Sequence, residues 1–196
     1  MKYSKHSMQE GRTFIETLGY IAVMIALTVG FAALVSQIFY RYEASEVQQQ
    51  LFELKKVISA RYSADGTYAN IKWSDLCAEK IGPKNLLPKR NCTPDKESRL
   101  QGHHIFDGAV KISSESGGRL FSIQFAGLPK DICAQLGIIT WHTSEGSDLD
   151  HMEVNNVTFN WPSAGGSGKT LPAQTSDVVA ACNRTDYTNK IKWYFN

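Results

Sequence analysis

The feature that most constrains this chain is a run of 24 residues without a charged side chain, from Thr17 to Tyr40. As an α-helix this run would be about 36 Å long, enough to cross a hydrocarbon layer of about 30 Å. It is longer than the apolar part of an ordinary secretory signal, and Arg41 and Glu43 follow it in place of a small-residue cleavage site. We therefore predict a retained transmembrane helix over about residues 14–40.

Helical periodicity continues beyond the uncharged run. Apolar side chains recur at spacings of 3, 4, 3 and 4, with polar and charged residues between them, at Ala44, Val47, Leu51, Leu54 and Ile58. This spacing places them on one face of a helix. The sequence predicts one helix from about Thr13 to about Ser63, ended by the turn signal Asp65-Gly66, whose amphipathic second half lies on a globular domain.

The remainder of the chain has the alternation of short β-strands. After a loop-rich connector over residues 64–108, the predicted elements are a hairpin of 110–112 with 121–125, a helix from Pro129 to Gly137, and strands at 157–161 and 191–195. A short helix around Ser74 to Lys80 interrupts the connector. The predicted class is α+β: a long N-terminal helix, membrane-spanning in its first half, packed through its second half on an antiparallel sheet.

The cysteines indicate the compartment. There are four, at Cys77, Cys92, Cys133 and Cys182. They lack CxxC spacing and neighbouring histidines at metal-site intervals, so an even count favours two disulfides in an oxidising environment over a zinc site. Positive charges are nearly balanced on the two sides of the apolar run, and the disulfides therefore decide that the C-terminal part is extracytoplasmic.

Charge and motifs argue against several function classes. The formal net charge of +2, with both signs spread along the chain, is not the pattern of a nucleic-acid partner. No histidine or glycine motif of a catalytic or phosphate site is present, so we predict no enzymatic activity, no cofactor and no metal. Glu145, Asp148 and Asp150 read as a solvated loop over 145–150, with calcium binding as the alternative left open.

The segment Gly11 to Leu18 resembles the processing site of type IV prepilins and pseudopilins, in which a short charged leader ends in Gly and a Glu is the fifth residue after it. Here Gly11 ends the leader and Glu16 is that Glu. The resemblance implies a leader at 1–11, an N-terminal helix at 12–63 and an extracytoplasmic pilin domain at 64–196. It also implies cleavage between Gly11 and Arg12 and a role for Glu16 in subunit assembly. Arg12 stands where the family has an apolar residue, which leaves N-methylation open.

The distal part of the chain is similar to the disulfide-bounded region of type IVb pilins. The similarity is carried by residues 128–133, ending in Cys133, and by residues 180–183, which contain Cys182. It implies a Cys133–Cys182 disulfide. Four cysteines allow three pairings, and the one that contains this disulfide also joins Cys77 to Cys92.

The resemblance implies a function. The chain is expected to be a structural subunit of a type IV pilus-like filament, held in the inner membrane by a single span before assembly and extracellular afterwards. Its partners would be membrane lipid, a prepilin peptidase, the inner-membrane assembly machinery and identical subunits. The alternatives are a pseudopilin or minor pilin of a secretion system, or a single-pass membrane-anchored binding domain. The sequence does not distinguish adhesion, conjugation, motility or DNA uptake, and it identifies no receptor.

Overall fold

The computed structural model describes residues 7–86, 101–141, 148–162, 168–185 and 187–196. Within these ranges the helices are α1 (Ser7–Tyr62), α2 (Trp73–Ala78), α3 (Lys130–Gly137) and α4 (Thr175–Ala181). The strands are β1 (Gly102–His103), β2 (Ala109–Glu115), β3 (Leu120–Leu128), β4 (Leu149–Val154), β5 (Val157–Asn160), β6 (Lys169–Thr170) and β7 (Asn189–Phe195). The chain divides into two compact units, and the division lies inside α1, between Glu43 and Ala44.

The first unit contains the N-terminal half of α1. The segment Phe14–Ala32 is long and apolar enough to cross a membrane, and none of it is buried. Its large side chains are exposed on all sides of the helix, as Ile15 (71%) and Phe31 (69%) illustrate. A helix that is apolar all round needs an apolar environment supplied from outside itself. The segment lies inside the predicted span of residues 14–40.

The second half of α1 is the helical layer of the second unit. Val47, Leu51, Leu54 and Ile58 are completely buried, and Ala44 and Tyr62 are nearly so. These are the positions that the 3–4 spacing places on one helix face. The predicted amphipathic helix is therefore confirmed, and it ends within one residue of the predicted Ser63.

The described strands form one sheet in the order β1-β2-β3-β7-β4-β5-β6. Its inner face carries a continuous apolar row, because Ile123 of β3 pairs with Trp193 of β7, Trp193 pairs with Met152 of β4, and Met152 pairs with Phe159 of β5. All four side chains are fully buried. The α+β class and the packing of a helix on an antiparallel-rich sheet are confirmed, with one exception: β5 and β6 pair in parallel.

Two of the helices and strands longer than two residues, β4 and α4, differ from the sequence prediction. The segment after residue 148 is a strand, β4, although the sequence suggested a polar loop up to residue 150. A bulge between Leu149 and His151 breaks the two-residue alternation, so the buried residues Leu149 and Met152 are three apart. Helix α4 was not predicted, because its seven residues contain only two buried apolar side chains, Val178 and Ala181.

Candidate assembly site

The residues predicted for processing and assembly lie near the beginning of α1. Gly11 and Arg12 are within the helix, and the surroundings of their side chains lie outside the described residues, so cleavage between them stays a prediction. Glu16 is exposed and has no ion-pair partner among the side chains that the structure describes. A carboxylate beside an apolar surface is costly to bury unless a cation meets it. Burial of Glu16 in an apolar environment would therefore require a cation beside it.

An exposed apolar surface follows Glu16 along the helix. Around Gly30, which has no side chain, the surface has a shallow depression bordered by Leu27, Phe31 and Leu34. The space above Gly30 is open, since a Cβ there would meet no atom within 4 Å. Burying one such leucine or phenylalanine side chain contributes about 1.5–3 kcal/mol. A surface of this length can therefore supply binding energy to lipid or to neighbouring helices.

The hydroxyl of Thr28 is compatible with burial of this apolar surface in lipid or against other helices. Its Oγ1 donates a hydrogen bond of 2.7 Å to the carbonyl oxygen of Met24, one helical turn earlier. A polar group in an apolar medium costs free energy unless it is hydrogen-bonded, and this bond satisfies the hydroxyl within the helix. Thr28 can therefore be surrounded by lipid or by other helices without a further partner.

A disulfide joins α3 to α4 in the second unit. Cys133 and Cys182 are bonded with an S–S distance of 2.04 Å, and both side chains are fully buried. The two helices pack closely. A Cβ placed on Gly137 would lie only 2.5 Å from Val178 Cγ1. The predicted Cys133–Cys182 pairing is confirmed.

The second predicted disulfide is described at one end only. Cys77 is disulfide-bonded and is buried at the end of α2. Its predicted partner, Cys92, lies outside the described residues. The Cys77–Cys92 pairing therefore stays a prediction.

A buried pair of asparagines links the disulfide region to the sheet. Asn155 Nδ2 donates to Ala181 O at 2.7 Å and to Asn189 Oδ1 at 3.1 Å. Asn189 Nδ2 donates to Leu128 O at 3.3 Å, and the backbone N–H of Lys190 donates to Asn155 Oδ1 at 3.0 Å. The pair connects the ends of β3, α4, β4 and β7. Sequence reasoning missed it, and the available signal was the turn-favouring Asn155-Asn156 dipeptide between β4 and β5.

The outer face of the sheet carries a charged network. Lys192 Nζ lies 2.7 Å from Glu115 Oε1, which also accepts a bond of 2.9 Å from Ser122 Oγ. Burial raises the pKa of Glu115, but the bonds from Lys192 and Ser122 outweigh burial and hold that pKa below its ordinary value. Burial lowers the pKa of Lys192, yet bonding to Glu115 and Tyr194 leaves it raised. Burial is also the main cause of the raised pKa of Tyr194.

The acidic residues considered for calcium are partly described. Asp148 Oδ2 lies 2.6 Å from Lys55 Nζ, and Asp150 Oδ2 lies 2.6 Å from His151 Nδ1. Glu145 lies outside the described residues. Within the described ranges no three or more His, Cys, Asp or Glu side chains are grouped so that they could hold a metal ion. Asp148 and Asp150 thus each lie beside a different nitrogen group.

Comparison with known families and sequences finds a matching family model and related proteins. A family model described as PilS N terminal matches residues 40–196. Two proteins of Escherichia coli, from O111:H- and from O127:H6 strain E2348/69, are each 22% identical over 200 residues, covering 98% of this chain and 97% of the relative. Both are named major structural subunit of bundle-forming pilus.

Two crystal structures resemble the fold more loosely. One is TcpA, a type IV pilin from Vibrio cholerae El Tor biotype, with a TM-score of 0.44 and 14% identity, covering 79% of this chain and 99% of that chain. The other is a type IVb pilin from Salmonella typhi, with a TM-score of 0.34 and 14% identity, covering 53% of this chain and 66% of that one.

Proposed function

This chain is a type IV pilin that belongs to the PilS N-terminal family, and from that premise we propose that it is a structural subunit of a pilus-like filament. The observation that carries the proposal is the exposed apolar segment Phe14–Ala32, which precedes a unit with a core of its own. Exposing such a segment to water is unfavourable, so it needs lipid or other apolar helices around it. A membrane supplies the first environment, and the interior of a helical filament supplies the second.

The proposed sequence of events starts in the inner membrane. Residues 1–11 are the leader, the single span lies at about 14–40 within the helix 12–63, and residues 64–196 are extracytoplasmic. A prepilin peptidase removes the leader after Gly11. The inner-membrane assembly machinery then transfers the subunit into an extracellular filament of identical subunits. The E. coli relatives, named as structural subunits, support a structural role for this chain rather than an enzymatic one.

Glu16 is proposed to set the axial position of each subunit. Cleavage after Gly11 creates a free α-amine on Arg12, and that cation can meet Glu16 of a neighbouring subunit. In the apolar filament interior an unpaired charge costs several kcal/mol, and pairing with the opposite charge offsets part of that cost. Positions along the filament that pair the two charges are therefore favoured over slipped ones, and assembly of this type is heterologous and open-ended.

Filament counts by electron microscopy test the role of Glu16. Glu16→Ala should remove most filaments while the membrane level of the subunit is unchanged, and Glu53→Ala, which alters an exposed carboxylate on the same helix, should leave filaments at the parental number. The double variant Arg12→Ala with Glu16→Ala should restore filaments only if Arg12 pairs with Glu16 inside one chain. Normal filaments from Glu16→Ala would rule out the proposed role of this carboxylate.

The N-terminus of the native protein tests the processing step. Intact-mass measurement should give a chain that begins at Arg12, and Gly11→Leu should block this change. A protein that still begins near Met1 would favour the alternative of a single-pass membrane protein with a binding domain. Short, low-copy filaments from a correctly cleaved protein would instead favour a pseudopilin or minor pilin.

A further inference from the structure

His104 lies in the interior of the second unit with both ring nitrogens engaged. Its side chain is 3% exposed. The backbone N–H of Phe106 donates to His104 Nδ1 at 3.2 Å, and His104 Nε2 lies 2.8 Å from the carbonyl oxygen of Ala126. A carbonyl only accepts and a backbone N–H only donates, so the proton sits on Nε2 and the ring is neutral. The arrangement fits one protonation state of the imidazole.

The ring holds a tight turn against β3. The turn runs from His104 to Gly108 and is closed by bonds from His104 N to Gly108 O at 3.1 Å and from Asp107 N to His104 O at 2.8 Å. The imidazole stacks on Phe125, with 5.6 Å between ring centroids. A Cβ on Gly108 would overlap both Ala126 O and the His104 ring. The imidazole is therefore a closely fitted spacer between the turn and the strand.

We propose that His104 is an acid-sensitive latch, whose protonation releases the turn at residues 104–108 from β3 and opens the β1–β2 hairpin. A proton on Nδ1 points at the N–H of Phe106, so an accepted hydrogen bond becomes a contact between two donors. The imidazolium also carries a charge that is desolvated beside Phe125, and the bond to the Ala126 carbonyl offsets only part of that cost. Opening relieves both costs, because it exposes the ring to water.

The charged groups around the ring oppose one another. Burial is the largest influence and lowers the pKa of His104, whereas the bond to Ala126 raises it. The neighbouring His103 lowers it further, and Asp107, whose carboxylate lies 3.7 Å from His103 Nδ1, raises it. On the β3 side the described neighbours, Phe125 and Ala126, do not titrate. The net result is a pKa below the ordinary value for histidine, so the open state binds the proton more tightly.

Opening of the hairpin reaches α2. Gly102 in β1 faces the ring of Trp73 and the carbonyl of Leu86 so closely that a Cβ there would lie 3.0 Å from the ring and 2.6 Å from the oxygen. Trp73 Nε1 also donates to Val110 O in β2 at 3.1 Å. Trp73 of α2 thus packs against the hairpin, and acid loosens the sheet edge together with this contact.

Hydrogen exchange of the full chain in detergent micelles tests the latch. After correction for intrinsic rates, the amides of residues 102–110 should exchange several-fold faster at pH 5.0 than at pH 7.5, because the open state binds the proton more tightly. His104→Gln should remove most of this pH dependence, whereas His103→Gln, which alters the exposed neighbour, should retain it. Equal pH dependence in both variants would overturn the proposal.

A titration of the parent protein tests the latch without requiring that the His104→Gln variant folds. In a spectrum of isotope-labelled histidine, His104 should be neutral with its proton on Nε2 at pH 7.5 and should titrate below the ordinary pKa of about 6.5. Its protonation should coincide with the loss of hairpin protection. A ring that is charged at pH 7.5, or that titrates while residues 102–110 stay protected, would contradict the latch.

Discussion

Leu27 and Leu51 have the same side chain and belong to the same helix, yet Leu27 is 63% exposed and Leu51 is completely buried. The difference follows from their neighbours. Around Leu51 polar residues occupy the other helix faces, so a single sheet can cover the apolar stripe. Around Leu27 every face is apolar, and no single surface can cover them all. The arrangement of polar residues therefore indicates whether a helical segment completes its own domain or requires an environment from outside.

The contrast separates folding from assembly along one helix. Side chains after Ala44 contribute to the stability of the second unit, whereas those of Phe14–Ala32 contribute only once lipid or other subunits surround them. Substitutions in the two regions should therefore affect different measurements. Variants of the two regions test this separation.

The largest effect is expected from the disulfide of the second unit. Replacing Cys133 and Cys182 together by Ala frees a loop whose ends are separated by 49 residues. By the chain-entropy model this lowers the free energy of unfolding of the second unit by about 4 kcal/mol. Chemical denaturation in detergent, followed by tryptophan fluorescence, should show the loss, with membrane insertion of α1 unchanged. An unaltered denaturation midpoint would contradict the stabilising effect of the Cys133–Cys182 disulfide.

The next effect compares the two leucines directly. Leu51→Ala leaves a cavity in the core and should lower the free energy of unfolding by about 3 kcal/mol. Leu27→Ala removes the same atoms from an exposed position and should change it by less than about 0.5 kcal/mol. Both values come from the same denaturation measurement. Equal destabilisation by the two variants would contradict the separation of folding from assembly.

The smallest effect concerns the outer face of the sheet. Lys192→Gln removes the partner of Glu115 and should cost about 1 kcal/mol or less, because the pair is only partly buried. Since the folded pKa of Glu115 is lowered, this stability is present above the ordinary pKa of Glu and is lost as the pH falls through the lowered value. Lys111→Gln, at an exposed position of β2, is the matched control. A difference between the two variants that persists at pH 2 would exclude this ion-pair origin.

Local periodicity was enough to predict the helices and strands with regular patterns. The 3–4 spacing around Leu51 predicted the buried face of α1, and the alternation around Ile123 predicted the β2–β3 hairpin. At Cys133 the resemblance to type IVb pilins supplied the partner that spacing alone left open. In these places the local sequence and the tertiary contacts favour the same structure.

Other features depend on contacts between distant residues, which local patterns do not contain. Asp150 lies in β4 because the strand pairs with β7, although its own side chain favours a loop. The Asn155–Asn189 pair spans 34 residues, and each asparagine alone has the composition of a turn. His104 looked like an ordinary histidine until the structure placed its ring between Phe106 and Ala126.

The strand that comes last in chain order, β7, lies in the middle of the sheet, between β3 and β4. Neither neighbour can complete its hydrogen bonding until β7 has been synthesised and moved across the membrane, because the contacts join residues far apart in the chain. Before β7 joins them, β3 and β4 each have an open edge, and open edges are templates for aggregation. A variant that lacks residues 189–195 would therefore have no strand between β3 and β4. Insertion of β7 closes both edges at once, so the sheet is complete only when this strand has joined it.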